Sequence, residues 1–189
     1  MAGRRGWWVA VGLLVATVGQ LLVATLVPGL PQFEGKAFAG RLLAYPVLML
    51  LVPAAWALAH RRDRGPLPWT AFALLMLPFF IDVTGNTLDL YDRIGWWDDA
   101  NHLVNWFFLA LGAGLLLARG GVRPRWALGL LVAGVGALLA VGWEVGEWAT
   151  FIRHGTELDT AYTDTLGDEV LGCLGAAVAG AVVARRAPG

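Results

Sequence analysis

Glu144 and Glu147 stand three residues apart near the end of one long apolar stretch, and Asp98, Asp99 and His102 open another. Asp164 and Asp168 open a third, one helical turn apart. Imidazole and carboxylate are ligands for a divalent ion; Zn, Mn, Fe and Mg all suit the set, and oxygen dominance tilts toward the harder ions. Asp98, Asp99, His102, Glu144, Asp164 and Asp168 are therefore candidate metal ligands, with Glu147 as general base and His102 as a second catalytic candidate. An ion held there lowers the pKa of a bound water or polarises a phosphoryl or carbonyl group. Arg93 or Arg153 can hold an anionic headgroup. The chain has no serine, which excludes a Ser–His–Asp hydrolase. Its single lysine, Lys36, is far in sequence from the cluster, and Cys173 has no base beside it. Water activated by metal or carboxylate is the hydrolytic route left.

Further polar residues extend the same face. Asp82, Asn86 and Asp89 have the spacing of a single helical stripe, and Asn105 continues the face of His102. Asp82, Asn86 and Asn105 are expected to line the pocket. A charge inside a membrane helix costs about 3 kcal/mol on insertion scales, so it normally faces protein and has a partner. Cationic partners look too few, since Arg93 and Arg153 fall in loops. Crowded carboxylates repel one another, a conflict that a bound divalent cation or a proton-exchanging water cavity resolves. Plainer readings exist for some of them. Asp89, Asp92, Glu157 and Asp159 suit loops in water, Asp98 and Asp164 suit helix N-caps, and Glu169 suits a headgroup-facing position. Asp82, His102, Glu144, Glu147 and Asp168 interrupt apolar spans, where such residues mark functional sites.

The elements that must position these groups follow from hydropathy. The chain is 58% hydrophobic with mean hydropathy +0.63. Stretches at about 7–27, 42–59, 69–87, 99–118, 126–148 and 164–184 are each close to the roughly 20 apolar residues needed to cross a bilayer. Only helices are plausible, because backbone groups in lipid must bond within their own segment. The expectation is an all-α bundle of six transmembrane helices forming one domain over 1–189, with lipid as its surroundings. The first stretch is too long for a signal-peptide core and reads as a retained helix. Ten of the fourteen basic residues (Arg4, Arg5, Arg61, Arg62, Arg64, Arg119, Arg123, Arg125, Arg185 and Arg186) fall on one side, which predicts both termini in the cytoplasm. Every acidic residue but Asp63 then lies outside or in the outer half of a helix, so the pocket faces the extracytoplasmic side. A net charge of zero gives no case for nucleic acid as a partner. Gly142 with Gly146, and Gly172, Ala176 and Gly180, predict close helix packing.

The order Asp98 with His102, then Glu144 with Glu147, then Asp164 with Asp168 and Gly175, resembles the YjdF-like family of small bacterial inner-membrane proteins. It is more distantly similar to the VanZ-like family, whose pattern often has glutamine where Glu147 stands and asparagine where Gly172 stands. The likeness covers the third to sixth spans. It implies a bacterial inner-membrane location and little chemistry.

Three functions fit these residues: a metal-dependent enzyme acting on a lipid or lipid-linked substrate, a proton- or cation-coupled transporter, and a non-enzymatic protein with a structural cation site. One-sided acids and apolar inner halves of the last three spans argue against a pathway across the membrane, and no inverted repeat is evident.

Overall fold

A computed structural model describes residues 2–61, 66–150, 152–154 and 158–187 of the chain. Arg62, Asp63, Arg64 and Glu157 lie outside the described residues, as does the side chain of Asp159. The described residues form helices and no strands. Six helices are long and apolar enough to cross a membrane: Arg4–Leu26, Phe38–Ala59, Trp69–Thr87, Trp97–Arg119, Arg125–Thr150 and Thr160–Arg186. Their outward residues are apolar; Leu43 and Leu138 are 76% and 74% exposed. Such surface suits lipid as the solvent, since soluble proteins rarely expose large contiguous apolar area.

The chain divides into two compact units, Met1–Gly95 and Trp96–Gly189. In the first, α1 (Ala2–Leu26) packs on α2 (Phe38–Ala59) and more extensively on α3 (Trp69–Thr87), and the short α4 (Leu90–Arg93) follows. Ala10, Met49, Ala73 and Met76 form a buried cluster there. Gly6 lets α1 approach α3 closely, since a Cβ at that position would lie 3.0 Å from Cβ of Trp69. Pro46 and Pro53 inside α2 and Pro78 inside α3 each remove a backbone donor. Membrane helices bear that loss because neighbouring groups satisfy the freed carbonyls.

The second unit holds α5 (Trp97–Arg119), α6 (Arg125–Thr150) and α7 (Leu158–Arg186), with α7 packed along both others. Small residues make that packing possible. A Cβ on Gly175 would run into the carbonyl oxygen of Leu103, and one on Gly180 into that of Gly129. Gly172 sits against Trp106 and Ala140. Ala110, Leu128, Val132, Ala176, Ala179 and Val183 close the core. The repeat of small residues on α7 therefore packs as expected, but the Gly142 and Gly146 pair does not. Both are exposed, and neither would bring a Cβ within 4 Å of anything.

Several boundaries differ from the hydropathy reading. The N-cap of α5 is Trp96, without a side-chain cap, and Asp98 lies in the first turn. The start of α7 at Leu158 puts Asp164 past the first turn, so neither aspartate is an N-cap. Asp89 takes a left-handed conformation (φ 59°) beyond the end of α3, which breaks the proposed stripe with Asp82 and Asn86. A short polar side chain tolerates that region better than most.

Candidate metal site in the second unit

His102 sits in the early turns of α5, and Asp98 lies four residues before it on the same helix. Helical spacing puts both on one face. The C-terminal part of α6 supplies Glu144 and Glu147, and the N-terminal part of α7 supplies Asp168. The imidazole is the hub. Its Nε2 lies 3.8 Å from Oδ1 of Asp98 and 3.7 Å from Oδ1 of Asp168. Its Nδ1 lies 3.6 Å from Oε1 of Glu144. Two groups of three donor atoms, Asp98 with His102 and Asp168, and His102 with Glu144 and Glu147, each lie within 4.8 Å of one another.

These separations are beyond hydrogen-bond length, for which N–H···O runs to about 3.2 Å. The two at Nε2 match atoms gathered around an ion better. Two donors about 2.1 Å from a shared ion at a tetrahedral angle are about 3.4 Å apart. His102, Glu144 and Asp168 are 8%, 5% and 4% exposed. Glu144 Oε1 is buried without a hydrogen-bond partner among the described residues. Neither Glu144 nor Asp168 pairs with a lysine or arginine there. A single imidazole cannot balance several carboxylates, and an uncompensated buried charge is costly, so the cluster calls for a cation or for protons. The chemistry of the donors fits a divalent ion.

The remaining candidates are not among these donors. Asp99 and Asp164 are exposed and stand outside both groups. Asn105 donates from Nδ2 to Asn101 Oδ1 at 3.2 Å, and Asn101 donates to the Trp97 carbonyl at 3.0 Å. The Oδ1 of Asn105 is buried with no partner among the described residues. Arg153 is exposed, with its guanidinium 5.8 Å from the centre of the Trp148 ring. Arg93 is exposed in the last turn of α4.

Asp82 belongs to the first unit and has a cationic partner, contrary to the expectation that cations are too few. Arg41 Nη1 donates to its Oδ2 at 2.8 Å, and Tyr45 donates to the same oxygen at 2.7 Å. Tyr91 donates to Oδ1 at 2.9 Å, and Asn86 donates to the Asp82 carbonyl at 3.0 Å. This carboxylate is fully engaged and reads as a structural tie between α2, α3 and α4. Sequence reading missed Arg41, Tyr45 and Tyr91. Arg41 and Tyr45 lie four apart on one helix face, a signal that counting Arg41 only toward topology conceals.

Residues 12–188 match the model of a family described as a predicted membrane protein, DUF2238. The chain belongs to that family. It is the family to which the YjdF-like pattern pointed, whereas the more distant VanZ-like likeness finds no support. No curated protein and no solved structure matches this DUF2238 chain. The chemistry of this DUF2238 member therefore has to be read from the side chains themselves.

Proposed function

We propose that the chain is a bacterial inner-membrane protein with both termini in the cytoplasm and with the His102 cluster near the extracytoplasmic face. The cluster holds a divalent cation and supports hydrolysis or transfer on a lipid or lipid-linked substrate. The basic residues support the orientation, since positive loops stay cytoplasmic. One observation carries the metal reading: a buried imidazole surrounded by carboxylates from three helices, with no lysine or arginine paired to Glu144 or Asp168 among the described residues. Asp98, His102 and Asp168 would hold the ion, which would supply an acidified water. Glu147, half-buried beside the cluster, would take the water's proton as its oxygen bonds to the phosphoryl or carbonyl centre, the ester bond breaks, and the leaving alcohol oxygen receives that proton. Arg153, exposed on the connection between α6 and α7, holds the anionic headgroup.

Elemental analysis of full-length protein purified in detergent tests the first step. About one divalent ion per chain is expected, and none in His102→Asn. Headgroup release from liposomes then tests the second, with Glu147→Gln inactive and still metal-loaded. Wild-type protein without metal would end the reading.

A structural cation site is the second reading, favoured by the burial of His102, Glu144 and Asp168, since structural sites are closed. It predicts collapse of the fold on chelation and no turnover of any headgroup.

A further inference from the structure

We infer that His102 coordinates the ion through Nε2 together with Asp98 and Asp168, while Glu144 is a positioning residue that holds the opposite ring nitrogen as Nδ1–H. This rests on the metal reading above and deepens it by dividing the cluster into ligands and support.

A neutral imidazole gives one lone pair to a metal and keeps an N–H on its other nitrogen, which then needs an acceptor. His102 has carboxylates beyond both nitrogens: Asp98 and Asp168 off Nε2, Glu144 off Nδ1. One ring cannot bind a single ion through both. Three observations divide the roles. Glu144 is 5% exposed, and its Oε1, 3.6 Å from Nδ1, has no hydrogen-bond partner among the described residues. A closure of about half an ångström makes that contact a hydrogen bond, and ligating histidines almost always donate their other N–H to a carboxylate or carbonyl.

The Asp98 side chain is 48% exposed, so the Nε2 side is open to water. An ion that keeps a position for water or substrate needs such an opening. Finally, the Nε2 group comes from α5 and α7, whose backbones meet at Gly175 and Leu103, next to His102. Ligands on a rigid contact hold their geometry. Glu144 and Glu147 come instead from α6, which is not part of that contact.

The test uses the full-length chain in detergent, with ¹⁵N-labelled histidine and Zn²⁺ as the probe; the chain has three histidines. One equivalent of Zn²⁺ moves the Nε2 signal of His102 to a coordinated position and leaves Nδ1 protonated. Glu144→Gln, whose amide oxygen still accepts from Nδ1–H, keeps one Zn²⁺ per chain with affinity lowered about 10- to 100-fold. Asp168→Asn loses Zn²⁺. Asp98→Asn, at a half-exposed position that tolerates change, weakens it more than Glu144→Gln does. Coordination through Nδ1, or loss of Zn²⁺ in Glu144→Gln but not in Asp168→Asn, overturns the division of roles and leaves the metal site standing. A wild-type chain that takes no Zn²⁺, Mn²⁺ or Fe²⁺ removes the metal reading itself.

Discussion

Nε2 of His102 on α5 lies 3.7 Å from Oδ1 of Asp168 on α7, and both side chains are nearly buried. An ion between them joins two helices, so binding adds to folding stability. At a free ion concentration about 100 times Kd the gain is about 2.7 kcal/mol. Thermal unfolding in detergent, with Zn²⁺ or Mn²⁺ against a chelator, reads this as a rise in the midpoint of a few degrees. His102→Asn shows no rise. An equal rise in the variant would place the binding elsewhere on the chain.

Gly175 and Gly142 make a matched pair of tests. A Cβ on Gly175 meets the Leu103 carbonyl and comes within 3.0 Å of the Phe107 nitrogen, and backbone cannot step aside as a side chain does. Gly175→Ala forces α5 and α7 apart beside His102, so ion affinity falls together with stability. Gly142→Ala meets nothing within 4 Å and gains helix propensity, about 1 kcal/mol at an interior position. Unfolding midpoints and Zn²⁺ titration of both variants check the contrast. If Gly175→Ala kept full affinity, the α5–α7 contact would not be what sets the site.

Asp82 and Arg41 form a largely buried pair, with side chains 17% and 15% exposed. Removing one partner leaves a charge with poor solvation, and Arg41→Met is expected to cost about 3 kcal/mol. Tyr91→Phe removes the hydrogen bond to Asp82 Oδ1 and should cost about 1 kcal/mol. The double variant Arg41→Met with Asp82→Leu recovers most of the loss, because no charge is then stranded. Equilibrium unfolding in mixed micelles measures all three. A double variant as unstable as Arg41→Met alone would show that packing, and not charge, holds α2 to α3.

The sequence was most legible where the bilayer constrains it. Apolar runs near 20 residues located the spans, because lipid penalises every alternative for the backbone. His102, Glu144 and Asp168 could be singled out because each interrupts such a run. What remained hidden was pairing. Nothing in the spacing of Asp82 said that Arg41, 41 residues earlier, would reach it, since long side chains on short-linked helices have many partners within range. Gly142 and Gly146 misled for a related reason: small residues permit a close approach but do not require one. Asp164 read as a cap because hydropathy located the apolar part of α7, whereas the helix begins earlier, at Leu158, in a polar stretch.

Lys36 and Asp92, outside the spanning helices, give a prediction in pH. Lys36 Nζ lies 2.6 Å from Oδ2 of Asp92. The Lys36 hydrogen bond holds the Asp92 carboxyl below the ordinary aspartate value of 3.8, while slight burial pushes weakly the other way. The folded pKa is thus the lower one. The pair's contribution to stability is present above the ordinary carboxyl range and disappears as pH falls through the depressed value. With the Asp92 side chain 54% exposed, the effect is small and shrinks in salt. Lys36→Met returns the Asp92 midpoint toward its ordinary value, and a ¹³C titration of the side-chain carboxyl follows it. A midpoint that does not move in Lys36→Met, or that ignores added salt in the wild type, would mean that this ion pair does not form in solution.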